Sequence, residues 1–361
     1  MDFAINSDPV VRLAFWGGLG AVALTLLLLM QIVFLRLKHR RNARRRREFM
    51  SKWDQLLTEN VLVNKSPLRL PAIPDEDVVR FLAYWINLHN SMRGQARERL
   101  DSLARTIDIE KIVRRMLQNG SNAEKLLATI GIGFFGNKTD IPELKKLLVS
   151  ERPIDCLHAA SAILRLDAGA LGDVLPIIAW RSDISTASIA SILQEQDMDG
   201  VSLLLAEMLG RVYRDVEPHL RMRRRDIVRL IMLASTAQPS VVRPYLLEIL
   251  DKTNDDEVIT ACLKVMRDPL ELPRMREFIN HPNWHVRVQI ASALGEMGEE
   301  KDLMLLIRLL SDSQWWVRYR AAQAISALPY VTTSHLEGMK SLLGDGFAID
   351  MINQVLAERV S

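Results

Sequence analysis

The chain opens with a polar lead, residues 1–12, and then a single long apolar block. From Leu13 to Leu35 there are 23 consecutive residues without a charge, including the run L-T-L-L-L-L-M. As a helix rising about 1.5 Å per residue, this block reaches across a hydrocarbon core of about 30 Å. It predicts a transmembrane helix at 13–35. Residues 36–63 read as a juxtamembrane helix whose apolar side is marked by Phe49, Met50, Trp53, Leu56 and Leu57. Residues 64–74 hold Pro67, Pro71 and Pro74, which cannot remain helical, and predict a linker. A long amphipathic helix is expected at 75–108, capped by Asp75, with Glu76 and Asp77 in its first turn. Its apolar face runs Val78, Leu82, Trp85, Leu88, Met92, Ala96, Leu100 and Leu103, with Asn87, Asn90, Ser91 and Arg93 opposite and His89 near the boundary.

From Ile109 to Ser361 the apolar pattern breaks into short helical lengths separated by turn residues. First helices are predicted near 122–135, 153–167, 184–196, 222–236, 255–267, 283–297 and 314–328. Second helices fall near 140–150, 170–181, 199–213, 239–252, 270–280, 300–311 and 333–343, with a terminal cap at 347–359. Two of these units are visibly copies. Residues 278–297 read F-I-N-H-P-N-W-H-V-R-V-Q-I-A-S-A-L-G-E-M, and residues 309–328 read L-L-S-D-S-Q-W-W-V-R-Y-R-A-A-Q-A-I-S-A-L. Slid by 31 positions, Trp284 falls on Trp315, Val286 on Val317, Arg287 on Arg318, Ala291 on Ala322 and Ala293 on Ala324. A fixed period of this length marks a stack of repeats, in which each unit buries its apolar face against the next.

The polar turn, the aromatic or proline, the V-R pair and the A-x-A run resemble HEAT repeats of the short, bilin-lyase type. The copy at Asp312 matches fully; in the other copy His281 stands where the acidic residue is usual. The resemblance implies an all-α, right-handed solenoid of about seven helical hairpins over 109–361. It also implies that Arg287 and Arg318 form a structural ladder between repeats. It says little about activity, because one solenoid surface hosts many functions.

Charge sharpens the N-terminal reading. Arg36, Lys38, Arg40, Arg41, Arg44, Arg45, Arg46 and Arg47 follow the apolar block directly. Positive charge stays on the cytoplasmic side, so the N-terminus is expected outside and residues 36–361 inside; a cleaved signal would carry its charge before a shorter core. The same collar suits anionic lipid head groups. Without it, Arg12, Asp2 and Asp8, 38 basic and 42 acidic side chains remain, a balance of about −4. Such a body does not suggest a nucleic-acid reader.

Candidate chemistry is sparse. Cys156 and Cys262 lie far apart in apolar helical patterns and read as buried thiols of a reducing compartment. His281 and His285 are separated by Pro282 and lack a third ligand at useful spacing, so no metal or other cofactor is expected. Glycines at 131–136 fit a tight helix-end turn. Two clusters stand out as candidate partner sites. One is arginine-rich, with Arg221, Arg223, Arg224 and Arg225 beside Arg211, Arg214 and Arg229. The other is Trp315, Trp316 and Arg320; consecutive helical side chains diverge by about 100°, so one tryptophan is expected inside and the other exposed. The expectation is a non-enzymatic scaffold in a bacterial inner membrane, an accessory subunit of an envelope or polysaccharide assembly. It would bind a protein partner, with no small-molecule substrate. The alternatives are an enzyme of the bilin-lyase kind and a nucleic-acid-binding HEAT protein.

Overall fold

The structure, a computed structural model, describes residues 9–62, 73–74, 77–107, 109–212 and 223–360. The described residues are helical, with no strand among them. They divide into two compact units, Met1–Leu127 and Ala128–Ser361.

In the first unit one helix, α1 (Pro9–Leu62), runs unbroken for 54 residues through both the apolar block and the basic collar. Its stretch Trp16–Leu37 is long and apolar enough to cross a membrane by length and composition, and no part of it is buried. Beyond the collar the character of α1 changes: Phe49, Trp53 and Leu57 are buried. They meet α2 (Val78–Ser91) and α3 (Gln95–Thr106), with the Trp53 ring edge-on to Phe81 at 4.6 Å. The Tyr84 hydroxyl donates to Asp54 at 2.6 Å. α4 (Ile109–Asn119) follows α3.

The stretch expected as one helix over 75–108 is two over its described residues. The chain breaks at Met92–Gly94, where Gly94 takes φ +59°, a left-handed conformation that only glycine adopts without strain. The helix also starts at Val78, with Asp77 before it bonded to Arg80; residues 75 and 76 lie outside the described ones, as does the linker at 64–72. His89 is not at a boundary but buried, its ring 4.7 Å from Trp85 and bonded to Arg97 at 3.1 Å.

The second unit is a run of hairpins, and the boundary between units falls within α5 (Asn122–Phe135). α5 pairs with α6 (Ile141–Leu148), α7 (Pro153–Leu166) with α8 (Leu171–Ala179), and α9 (Thr186–Leu193) with α10 (Met198–Gly210). α11 (Arg224–Leu233) pairs with α12 (Pro239–Lys252), and α13 (Asp256–Val265) with α14 (Leu272–Arg276). α15 (Trp284–Met297) with α16 (Leu303–Leu310), and α17 (Trp315–Ala327) with α18 (Thr333–Leu342), complete seven hairpins before α19 (Gly346–Val360). First helices from α11 onward stack in a row, α11 on α13, α13 on α15, α15 on α17 and α17 on α19. This is an all-α solenoid.

Small residues set how closely that row stacks. A Cβ added at Gly295 would lie 2.5 Å from the Cβ of Ala324, so α15 and α17 touch almost backbone to backbone there. Gly295 also opens a turn that occurs twice: G-x-x-G-x-x-x-D at Gly133–Asp140 and again at Gly295–Asp302. In both, the closing Asp is buried and accepts a backbone amide across a short 3₁₀ turn, from Asn137 or Glu299. The helix-end reading of the glycines at 131–136 holds at Gly136, where an added Cβ would meet the Ile132 carbonyl at 2.6 Å.

Candidate functional site

The described residues offer little for covalent or metal chemistry. Cys156 and Cys262 are fully buried. Burial pushes both thiols up, with the nearby Arg181 guanidinium opposing it only at Cys156, so neither is disposed to be a thiolate. No group of three or more His, Cys, Asp or Glu that could hold a metal occurs among the described residues. A cavity of about 320 Å³ opens beside α11–α13, lined by Met232, Val242 and Leu246 with Lys264 and Arg267. Its buried carboxyl, Glu271, is already the acceptor for the Asp268 amide.

The distinctive surface lies where the last three first helices begin. Asn283, Asp312 and Asp345 each accept a backbone amide two residues on, from His285, Gln314 and Phe347, at 2.9, 2.8 and 3.0 Å. One step inside, Val286, Val317 and Ala348 are all buried, as are Ile290, Ala321 and Ile352. The buried positions Val286, Val317 and Ala348, like Ile290, Ala321 and Ile352, are 31 residues apart, so α19 is a third copy of the repeat start, in register with the two seen in sequence. In that register His285, Trp316 and Phe347 coincide, and all three are exposed.

Both tryptophans of α17 face solvent, Trp315 at 43% and Trp316 at 57% exposure, which corrects the expectation that one is inside. They occupy the first turn, ahead of Val317, and the buried stripe of α17 runs Val317, Ala321, Ala324 and Ile325. Neither indole falls on it. They are instead ordered by one another. The Trp315 ring stacks on Tyr319 at 5.0 Å and meets Trp316 edge-on at 4.7 Å. The Tyr319 hydroxyl donates to Glu358 of α19 at 3.0 Å and accepts from Gln323 at 2.8 Å. Arg320 is exposed beside them. In the copy before, Trp284 is half-buried and stacks on His285 at 3.6 Å.

Under this edge runs the arginine ladder. Arg287 donates from Nε and Nη2 to the two carboxylate oxygens of Asp312, at 2.7 and 2.8 Å, and from Nη1 to the carbonyls of His281 and Pro282. Burial alone would raise the Asp312 carboxyl, but Arg287 and the Gln314 amide together hold it below its ordinary value. The second ladder arginine behaves differently. Arg318 caps the carbonyls of Asp312 and Ser313 through Nη1. Its guanidinium lies 5.1 Å from the Phe347 ring centroid, and its Nε is buried without an acceptor. Second helices carry parallel pairs that the sequence did not announce, Arg243 with Asp268 at 2.6 Å and Arg276 with Asp302 at 2.7 Å.

The other predicted cluster lies at the start of α11 and is partly paired. Arg221 lies outside the described residues. Arg224 pairs with Glu257 at 3.3 Å and Asp255 at 3.6 Å of the next first helix, and Arg229 is bonded to the carbonyls of Ala179 and Ile184. Arg223 and Arg225 are exposed at the start of α11. Of the collar, Arg36 and Arg47 are exposed on α1; the side chains of Lys38, Arg40, Arg41, Arg44, Arg45 and Arg46 lie outside those described. The His281 ring approaches Asp256 at 3.7 Å and accepts from the Asn283 amide at 3.2 Å.

The family described as HEAT repeats matches residues 244–326, the stretch that holds both ladder arginines and both copies of the repeat start. Within that stretch the chain matches HEAT repeats. Among solved structures, importin beta, crystallised in an ammonium sulfate condition, is similar over 86% of this chain at 14% identity and a TM-score of 0.38. The chain spans 41% of that protein's length. No curated protein matches the sequence. HEAT solenoids commonly serve as scaffolds for protein interaction and are typically non-catalytic.

Proposed function

We propose that the protein is a membrane-tethered, non-enzymatic scaffold whose HEAT repeats hold a protein partner at a bilayer. The observation that carries the reading is the pair of exposed indoles, Trp315 and Trp316, fixed at the rigid start of α17 beside Arg320. Large aromatic side chains with an adjacent arginine are the residue types that dominate binding energy when an interface covers them. The apolar, exposed stretch Trp16–Leu37 supports the tether. Because α1 continues unbroken to Leu62 with its cations after the apolar block, it reads as an anchor rather than a cleaved signal. The orientation that charge favours puts the N-terminus outside and the repeats in the cytoplasm of a bacterial inner membrane. There an accessory subunit of an envelope or polysaccharide assembly is the assignment we favour. Tethering raises the effective concentration of a partner at the same membrane, so a modest interface suffices.

Affinity purification from detergent-solubilised membranes tests this, with wild type beside Trp315→Ala and Trp316→Ala. Both residues being exposed, each substitution is expected to cost less than about 1 kcal/mol of stability, while the co-purifying membrane protein is lost. Recovery of nucleic acid, or of an unchanged set of proteins from both variants, would refute the proposal.

A further inference from the structure

Resting on the reading of this edge as a docking surface, we propose that the partner presents an acidic, extended segment. One of its carboxylates takes the ladder place beside Arg318, where Leu343 supplies no acid and the Phe347 ring now lies. The argument begins with the register. Two residues before each N-terminal cap of the last three first helices stand His281, Asp312 and Leu343. Asp312 supplies the carboxylate that Arg287 of the preceding copy needs, and Leu343 stands where Arg318 would find its own. Arg318 is nevertheless posed as Arg287 is, each holding two carbonyls of its own turn through Nη1. The Nε and Nη2 edge that Arg287 presents to Asp312 is thus repeated at Arg318 with no carboxylate against it among the described residues.

The surroundings select the rest of the ligand. Neighbouring carboxylates are already engaged, Asp312 by Arg287, Asp345 by the Phe347 amide and Glu358 by Tyr319 and Gln354. Only Asp312 is neutralised by a cation, while Asp345 and Glu358 keep their charge against neutral donors. The preference for an anion is therefore local to Arg318, which lacks a carboxylate among the described residues, and to exposed Arg320 beside the start of α17. Exposed His285, Trp316 and Phe347 mark three adjacent helix starts. Packed helices lie about 8–10 Å apart, and an extended segment of polyproline-II form returns to the same face every three residues, after about 9 Å. The matching segment therefore carries an apolar side chain at about every third residue, with acidic residues between. Stacking rings alone would equally suit a sugar chain; the arginine lacking its carboxylate is what favours a peptide.

The test uses the full chain in detergent micelles. Fluorescence anisotropy follows a labelled peptide with leucines three apart and aspartates between. The comparisons are the same peptide with lysines for aspartates, and an unlabelled glucan hexamer as competitor. The acidic peptide is expected to bind and the lysine peptide to fail. Leu343→Asp places a carboxylate within the chain at that ladder position; it is expected to weaken the acidic peptide about tenfold or more without lowering the melting temperature. Replacing Trp316 and Phe347 together by Ala is expected to weaken it comparably. Equal binding by Leu343→Asp and wild type, equal binding of the lysine peptide, or displacement by the glucan would overturn the proposal. If the acidic peptide fails while Trp316→Ala still loses its membrane partner, the acidic occupant falls and the scaffold stands. If Trp315→Ala and Trp316→Ala both retain that partner, the scaffold reading falls on its own evidence.

Discussion

Asp312 is the residue on which most of the local order around the repeat start converges. Its side chain accepts two bonds from Arg287 and one from the Gln314 amide, and its carbonyl accepts from Arg318. With both side chains of the ion pair nearly covered, at 12% and 10% exposure, removing one partner leaves the other charge without its mate. Asp312→Ala is therefore expected to cost about 3 kcal/mol in urea unfolding at neutral pH. The folded-state carboxyl is held below its ordinary value, so its contribution is complete above the unfolded pKa of about 4. It is lost as the pH falls through the folded value. The gap between wild type and Asp312→Ala should thus narrow below about pH 4, in unfolding curves measured across that range. Arg287 was legible as a ladder residue because the V-R pair repeats. The different state of Arg318 was not, because it depends on what stands at position 343 rather than on the arginine itself.

At the scale of helices, close approach is written in glycines. The Gly295 contact with Ala324 leaves no room for a side chain, since the nearest atoms are a Cβ at 2.5 Å and a Cα at 2.8 Å. Gly295→Ala gains helix propensity but must part α15 from α17, and a net loss of about 1–3 kcal/mol is expected. Gly172, within α8, has nothing within 4 Å of an added Cβ. Gly172→Ala should stabilise the chain by up to about 1 kcal/mol, so urea midpoints of the two variants should move in opposite directions. The same scale shows what periodicity can and cannot carry. Each hairpin was visible because its apolar face recurs with the helical period between turn residues. The break at Gly94 was hidden because Leu88, Met92 and Ala96 keep that period across it, and periodicity does not register a change in chain direction. The third copy at Asp345–Phe347 was hidden for the opposite reason: its spacing persists, but Ile349 stands at the ladder position and no V-R pair draws attention to it.

For the whole molecule, the proposed orientation rests on the arrangement of charge along α1. Replacing the eight collar cations by glutamine should leave the apolar stretch able to insert but remove its bias. A C-terminal reporter active only outside the cytoplasm is expected to be silent in the wild type and to gain signal in that variant. An active reporter on the wild-type chain would reverse the assignment of sides. What the sequence determined alone is what depends on local order along one chain. An uncharged block long enough to span, helices of seven hairpins and small residues at the stacking positions all follow from residue type and spacing. What only the tertiary structure decided is which polar and aromatic groups find partners. Arg224 and Arg229 look like members of a free cationic cluster until the folded chain brings Glu257 and the Ala179 and Ile184 carbonyls to them. Trp315 and Trp316 look divided between inside and outside until the register places Val317 and Ala321 on the buried stripe and leaves both indoles beyond it. Burial and pairing are properties of neighbours distant in sequence, and a period read along one strand of residues does not contain them.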